Sequence, residues 1–194
     1  MLAVTDACDV QDRLPMIAKA SADGLAGEII VGDSRKVLER FPSETFQTCI
    51  TSPPYWGLRD YGIDGQIGAE TTVDAYIDDL VKIFREVKRT LRPDGTLWLN
   101  LGDSYTSGNR GWRAPDEKNK GRAMDYRPPT PEELKPKDLI GVPWKLAFAL
   151  QRDGWYLRSD IVWSKPNCQP ESVKDRPTRS HEYIFLLTQW EDYY

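Results

Sequence analysis

The sequence has one histidine and three cysteines in 194 residues, and both scarcities exclude chemistry. With His181 alone, a multi-histidine metal centre cannot form, and a Ser-His-Asp triad would have to be built on that single residue. Cys8, Cys49 and Cys168 are odd in number and lack a C-x-x-C spacing, so neither a disulfide framework nor a zinc site is indicated. No apolar run approaches the roughly 20 residues of a membrane span. Residues 1–22 also lack the basic start and unbroken apolar stretch of a signal peptide, so a soluble, cytoplasmic chain is expected. An excess of positive charge is missing too: 26 Lys and Arg stand against 30 Asp and Glu, a formal net charge of -4. A nucleic acid would therefore have to be met by a local cluster of basic residues, not by the whole surface.

What is present is globular composition, 40% hydrophobic with seven tryptophans, in a length that suits one domain. Residues 1–27 mix Ala, Asp, Gly and Ser without period and read as an N-terminal arm, leaving 28–194 as one folded region. A short strand at 28–31 ends at Gly32-Asp33-Ser34, a helix at 36–41 is stopped by Pro42, and a strand at 45–51 runs into Ser52-Pro53-Pro54. Residues 74–91 set Tyr76, Ile77, Leu80, Ile83, Phe84, Val87 and Leu91 at helical spacing, with Asp74 as the candidate N-cap. A buried strand at 96–101 precedes an irregular insertion at 102–138, rich in Gly, Pro and charge. A helix at 143–152, a strand at 155–163, a second loop at 164–180 and a strand at 182–188 complete the chain. Alternating strands and helices predict an α/β sheet, mostly parallel, with the last two strands antiparallel at one edge because no helix separates them.

The segment Thr51 to Gly62, TSPPYWGLRDYG, carries the most chemistry, because it lies where a buried strand gives way to a loop, and open α/β sheets bind ligands there. Pro53 and Pro54 have no N–H, so carbonyls and the Ser52 hydroxyl form a cluster of acceptors suited to an amino group. Tyr55 and Trp56 offer flat faces on which a base can stack. An exocyclic amino nitrogen is a poor nucleophile because its lone pair is delocalised into the ring. Hydrogen bonds from its two N–H groups to Ser52 and the Pro53 carbonyl would draw it towards tetrahedral geometry, and no strong base is then needed. Taken as a bare tetrapeptide, Ser-Pro-Pro-Tyr also reads as a strand terminator or a polyproline ligand.

TSPPYW resembles motif IV of the DNA amino-methyltransferases, in which Asp, Asn or Ser precedes Pro-Pro and an aromatic. IIVGDS upstream, and LRPDGTLWLNLGDSY, WYLRSDIVWSKPN and RPTRSHEYIFLLT downstream, resemble further segments of the permuted members of that family, in the family's order. The resemblance implies a partial Rossmann-like class I methyltransferase sheet, S-adenosylmethionine as cofactor, double-stranded DNA as partner, no metal, and a prokaryotic or phage-like setting. It assigns Ser52, Pro53, Pro54 and Tyr55 to catalysis and Asp33 and Thr51 to the cofactor. Trp56, Ser164, Lys165, Pro166 and Asn167 fall to the base pocket, and Arg110 and Arg113 of the 102–138 insertion to DNA. Asp33 reads equally as a helix cap, and residues 164–167 as a plain turn.

The family's glycine-rich F-x-G-x-G cofactor segment and its target-recognition region do not occur in this sequence. In the family's sheet the strands carrying that segment lie between the first two strands found here, so the first strand is expected to lack a neighbour. The chain then reads as part of a longer protein or as half of a split enzyme. Ser before Pro-Pro-Tyr is more typical of cytosine-N4 than of adenine-N6 enzymes. A non-catalytic DNA-binding or assembly fragment is the alternative of a different class, and methylation of RNA or a protein glutamine is a third.

Overall fold

The computed structural model describes residues 17–22, 25–106, 128–168, 171 and 174–193. In chain order the elements are β1 (Ile17–Ala22), β2 (Leu25–Ile30), α1 (Ser34–Leu38), β3 (Phe46–Thr51), α2 (Val73–Thr90), β4 (Leu91–Leu101), α3 (Val142–Arg152), β5 (Tyr156–Ser164) and β6 (His181–Thr188). Four strands form one sheet in the order β3-β4-β6-β5. β3 and β4 are parallel, and β6 runs antiparallel to both β4 and β5. The last two strands therefore pair antiparallel as expected, with the reversed strand β6 one place in from the edge.

Side-chain alternation fixes the two faces of this sheet. Cys49, Leu97, Leu99, Leu101, Phe185 and Leu187 are buried on one face, where α2 and α3 pack. The apolar stripe predicted for α2 is the observed one: Tyr76, Ile77, Leu80, Ile83, Phe84 and Val87 are all buried. Burial stabilises by about 1.5 to 3 kcal/mol for a large aliphatic or Phe side chain. The cap is Thr72, not Asp74; the Thr72 hydroxyl accepts from the Ala75 N–H at 3.1 Å, and Asp74 sits in the first turn. At the other end of α2, the sheet register passes from Phe46 opposite Leu91 to Thr48 opposite Thr96, so Arg92-Pro93-Asp94-Gly95 bulges out of the ladder.

The opposite face has no helix on it among the described residues. Ile50 of β3 and Trp163 of β5 are 46% and 48% exposed there, and Ile161 of β5 is on the same face. β3 pairs only with β4 among the described residues, so its outer edge is open.

Two organisational expectations are revised. The arm at 1–27 is not structureless throughout, since β1 and the beginning of β2 fall within it. The strand expected at 28–31 begins earlier and pairs with β1 as a separate antiparallel ladder, outside the main sheet. Backbone N–H and C=O groups need partners, and among the described residues β2 finds them in the preceding segment. The insertion at 102–138 is irregular where it is described. It is tied at its base by the Tyr105–Leu139 bridge and by the Thr106 N–H donating to the Asp138 carbonyl at 2.9 Å. Arg110 and Arg113 lie outside the described residues. No helix among the described residues is long and apolar enough to cross a membrane.

Candidate active site

β3 delivers Thr51-Ser52-Pro53-Pro54-Tyr55-Trp56 to the carboxyl edge of the sheet, and two buried anchors fix the loop. The Tyr76 hydroxyl of α2 donates to the Pro54 carbonyl at 2.7 Å, and the Trp56 indole N–H donates to the Glu70 carbonyl at 2.9 Å. The Ser52 side chain is left exposed, and the Pro53 carbonyl receives no hydrogen bond among the described residues. Trp56 departs from the expectation for it: at 5% exposure its ring belongs to the hydrophobic core and offers no face to a base. A large apolar ring with one satisfied N–H is worth more inside than at a wet pocket.

A polar network grows from this loop across all four strands. Ser52 Oγ donates to Tyr55 Oη at 3.3 Å, and that phenol lies 3.2 Å from Asn100 Oδ1 and 3.3 Å from Glu182 Oε2. The Asn100 amide donates to the Tyr183 carbonyl at 3.0 Å and reaches Glu182 Oε2 at 3.4 Å. Lys165 Nζ closes the network as an ion pair with Glu182 Oε1, while its backbone N–H donates to the Ser180 carbonyl at 2.7 Å. The carboxyl ends of β3, β4 and β5 and the amino end of β6 thus meet at one place, as an antiparallel β6 requires. Burial pushes the Tyr55 phenol above its ordinary value, with Glu182 adding to the effect, so it remains a neutral donor at neutral pH. The Tyr55 ring rests against Gly102, where any β-carbon would collide with it.

The structure brings Ser52, Tyr55 and Lys165 together. Ser164 is exposed at the end of β5, and Pro166 and Asn167 are exposed in the turn beyond it. Thr51 is half-buried and, with Ser34, Leu38, Pro53 and Pro54, lines an apolar cavity of about 50 Å³. Asp33 caps α1 by accepting from the Arg35 N–H at 3.0 Å, and it also pairs with the Arg35 guanidinium at 2.8 Å. Hydrogen bonding to Arg35 holds the Asp33 carboxyl below its ordinary value. Cys49 is buried and its thiol is pushed up to about 12 by desolvation, which removes it as a nucleophile. Among the described residues no group of three or more His, Cys, Asp or Glu is placed to hold a metal.

Three positions of this polar region escaped the sequence reading. Asn100 was legible as the one polar side chain in the apolar run LWLNL, and Glu182 only as the neighbour of the sole histidine. The third is Asp103, whose side chain is 2% exposed; its Oδ1 accepts from the N–H groups of Ser104 at 2.9 Å, Gly141 at 2.9 Å and Val142 at 3.0 Å. It thereby caps α3, whose own N-cap Gly141 has no side chain to do so.

A family model described as DNA methylase (N6_N4_Mtase) matches residues 46–194, which include every strand of the four-stranded sheet. The chain belongs to this DNA methylase family. The Type II methyltransferase M.SmaI of Serratia marcescens is 72% identical over 86% of this chain and 57% of its own length. M.Cfr9I of Citrobacter freundii is 68% identical over 84% of this chain and 54% of its own. This DNA methylase chain therefore spans a little over half the length of these relatives. Two solved structures share the fold. The PvuII DNA methyltransferase, described as cytosine-N4-specific, superposes with a TM-score of 0.58 at 17% identity, covering 86% of this chain and 50% of that one. The modification methylase TTHA0409 of Thermus thermophilus, solved with S-adenosyl-L-methionine, gives 0.55 at 24% identity, covering 84% and 54%.

Proposed function

We propose that this chain is the amino-activating part of a DNA methyltransferase that transfers a methyl group from S-adenosylmethionine to N4 of a flipped cytosine. The observation that carries the reading is the pair of acceptors at the carboxyl edge of β3: an exposed Ser52 hydroxyl and a Pro53 carbonyl without a donor among the described residues, on a loop locked by Tyr76 and Trp56. Two N–H groups of one amino nitrogen fit two such acceptors, and their pull directs the lone pair away from the ring. S-adenosylmethionine supplies an electrophilic methyl when bound. Once alkylated, the nitrogen is acidic and its surplus proton passes to Ser52. The hydroxyl chain from Ser52 through Tyr55 then leads to the carboxylate of Glu182. We infer double-stranded DNA as the substrate and a prokaryotic cytoplasm as the setting, a reading supported by the bacterial Type II methyltransferases that the chain resembles.

The described residues supply only part of a cofactor site. The cavity beside Thr51 is about 50 Å³, against the roughly 300 to 1,000 Å³ of ligand pockets, and the Asp33 carboxylate is committed to Arg35. Asp33 and Thr51 are proposed as one wall of it. The open edge of β3 and the bare apolar face bearing Ile50, Ile161 and Trp163 suit the strands and helices of a second segment, on the same chain or another. Titration calorimetry is expected to show S-adenosylmethionine binding at least tenfold tighter when such a segment is added, a gain of about 1.4 kcal/mol or more. Equal affinity with and without it removes the second-segment proposal.

The base assignment is tested by methylating duplex DNA with the chain and its second segment, then digesting to nucleosides for mass spectrometry. N4-methylcytosine supports the reading, N6-methyladenine selects the adenine alternative, and unmodified DNA in the presence of bound cofactor overturns both. Tyr55 tests base capture separately. Tyr55→Ala is expected to weaken it by about 1 to 3 kcal/mol, the usual worth of a base stack, and Tyr55→Phe by much less. Fluorescence of 2-aminopurine at the target position reads extrusion directly, and equal signals from wild type and Tyr55→Ala would remove the stacking role.

A further inference from the structure

The loop between β5 and β6 carries two guanidinium groups to the flank of the active site. Arg176 is held by Glu171, Nη2 to Oε2 at 2.6 Å, and its Cζ lies 3.7 Å from the centre of the Tyr105 ring. Arg179 Nη2 stands 3.9 Å from Asp103 Oδ2, and the Arg179 backbone N–H donates to Glu171 Oε1 at 3.2 Å. Both side chains are largely withdrawn from solvent, at 24% and 17% exposure. Even so, Arg176 Nη1, Arg179 Nε and Arg179 Nη1 are buried without any acceptor among the described residues.

Buried charged donors left unpaired are costly, so two guanidiniums held in place with three nitrogens lacking an acceptor among the described residues are matched chemically to an anion that the loop would have to admit. The planar fork of arginine matches the oxygens of a phosphate, and the Tyr105 and Glu171 contacts fix it beforehand. Position narrows the choice further, since Arg179 is followed by Ser180, His181 and Glu182, and Glu182 belongs to the active-site network. We propose that Arg176 and Arg179 clamp a backbone phosphate of the DNA strand beside the extruded base. This rests on the DNA reading above and adds to it the residues that hold the strand. Such a contact fixes register and carries no sequence information.

The test is the salt dependence of duplex binding, followed by fluorescence anisotropy with the chain and its second segment. Each phosphate contact contributes about 0.9 to the slope of log K against log salt for duplex DNA. Arg179→Gln and Arg176→Gln are each expected to lower the slope by about 1, uniformly across duplex sequences, while cofactor affinity stays at the wild-type value. Arg179→Lys, which keeps the charge, is expected to restore the slope. Should Arg179→Gln fail to fold by circular dichroism, Arg176→Gln carries the same comparison. Unchanged slopes in folded variants overturn the clamp while leaving the methyltransferase reading intact. A wild-type protein that binds no duplex overturns both. Inorganic phosphate that raises the melting temperature of the wild type but not of the variants, with the DNA slopes unchanged, assigns the site to a free anion and overturns the strand contact.

Discussion

Ser52→Ala is expected to lower the single-turnover rate constant for methyl transfer by about 100- to 1,000-fold, the usual consequence of removing one preorganised hydrogen-bonding group from a reaction centre. DNA affinity should hardly change. The hydroxyl acts on the lone pair of the amino nitrogen, and that interaction strengthens as the nitrogen becomes tetrahedral, so its loss falls on the chemical step. The surrounding geometry makes the variant clean: Ser52 is exposed, its only side-chain partner among the described residues is Tyr55 Oη at 3.3 Å, and Tyr55 keeps Asn100 and Glu182 without it. Rapid-quench measurements at saturating DNA and cofactor give the rate constant, and anisotropy gives the affinity. A wild-type rate constant in Ser52→Ala would show that the serine does not activate the nitrogen, and the mechanism would fail with it.

The sequence disclosed the parts of this molecule that depend on local pattern, and withheld those that depend on what is absent or distant. The α2 stripe from Tyr76 to Val87 was readable because its apolar side chains recur at helical spacing and leave little choice. The place of Ser52 and Tyr55 just beyond β3 was readable because Pro-Pro ends a strand, and such a strand end in an α/β sheet is where a ligand site is to be sought. Trp56 was misjudged because adjacency to Tyr55 says nothing about which ring turns inward; its direction is set by the distant Glu70 carbonyl. Asn100 and Glu182 meet through the antiparallel register of β4 and β6, in which Asn100 lies opposite Ile184, and no local signal encodes that register. The β1–β2 ladder was invisible for a different reason. It is a contact between two neighbouring segments, and residues 17–22 carry no strong strand pattern.

Asp103→Ala is expected to cost about 2 to 4 kcal/mol of folding stability, a large share of the roughly 5 to 15 kcal/mol available to a domain. One carboxylate oxygen satisfies three backbone N–H groups, two of which begin α3, and alanine takes away the acceptor of all three. Asp103→Asn keeps an acceptor in the same place and should stay within about 1 kcal/mol of wild type. The two variants also separate charge from hydrogen bonding. Burial raises the Asp103 carboxyl above its ordinary value, outweighing the backbone donors and the Arg179 guanidinium that favour ionisation. The folded state therefore keeps this proton at a pH where the unfolded chain has released it. Its contribution is present below the ordinary aspartate range and is lost as pH rises through the folded value, with no further change above it. Urea unfolding measured from about pH 3.5 to 7 should show that step in wild type and not in Asp103→Asn. An alanine variant as stable as wild type at neutral pH would mean that α3 starts without help from Asp103. A pH step retained in the asparagine variant would place the titration on another group, of which the half-buried Glu70, also raised by desolvation, is the first to substitute.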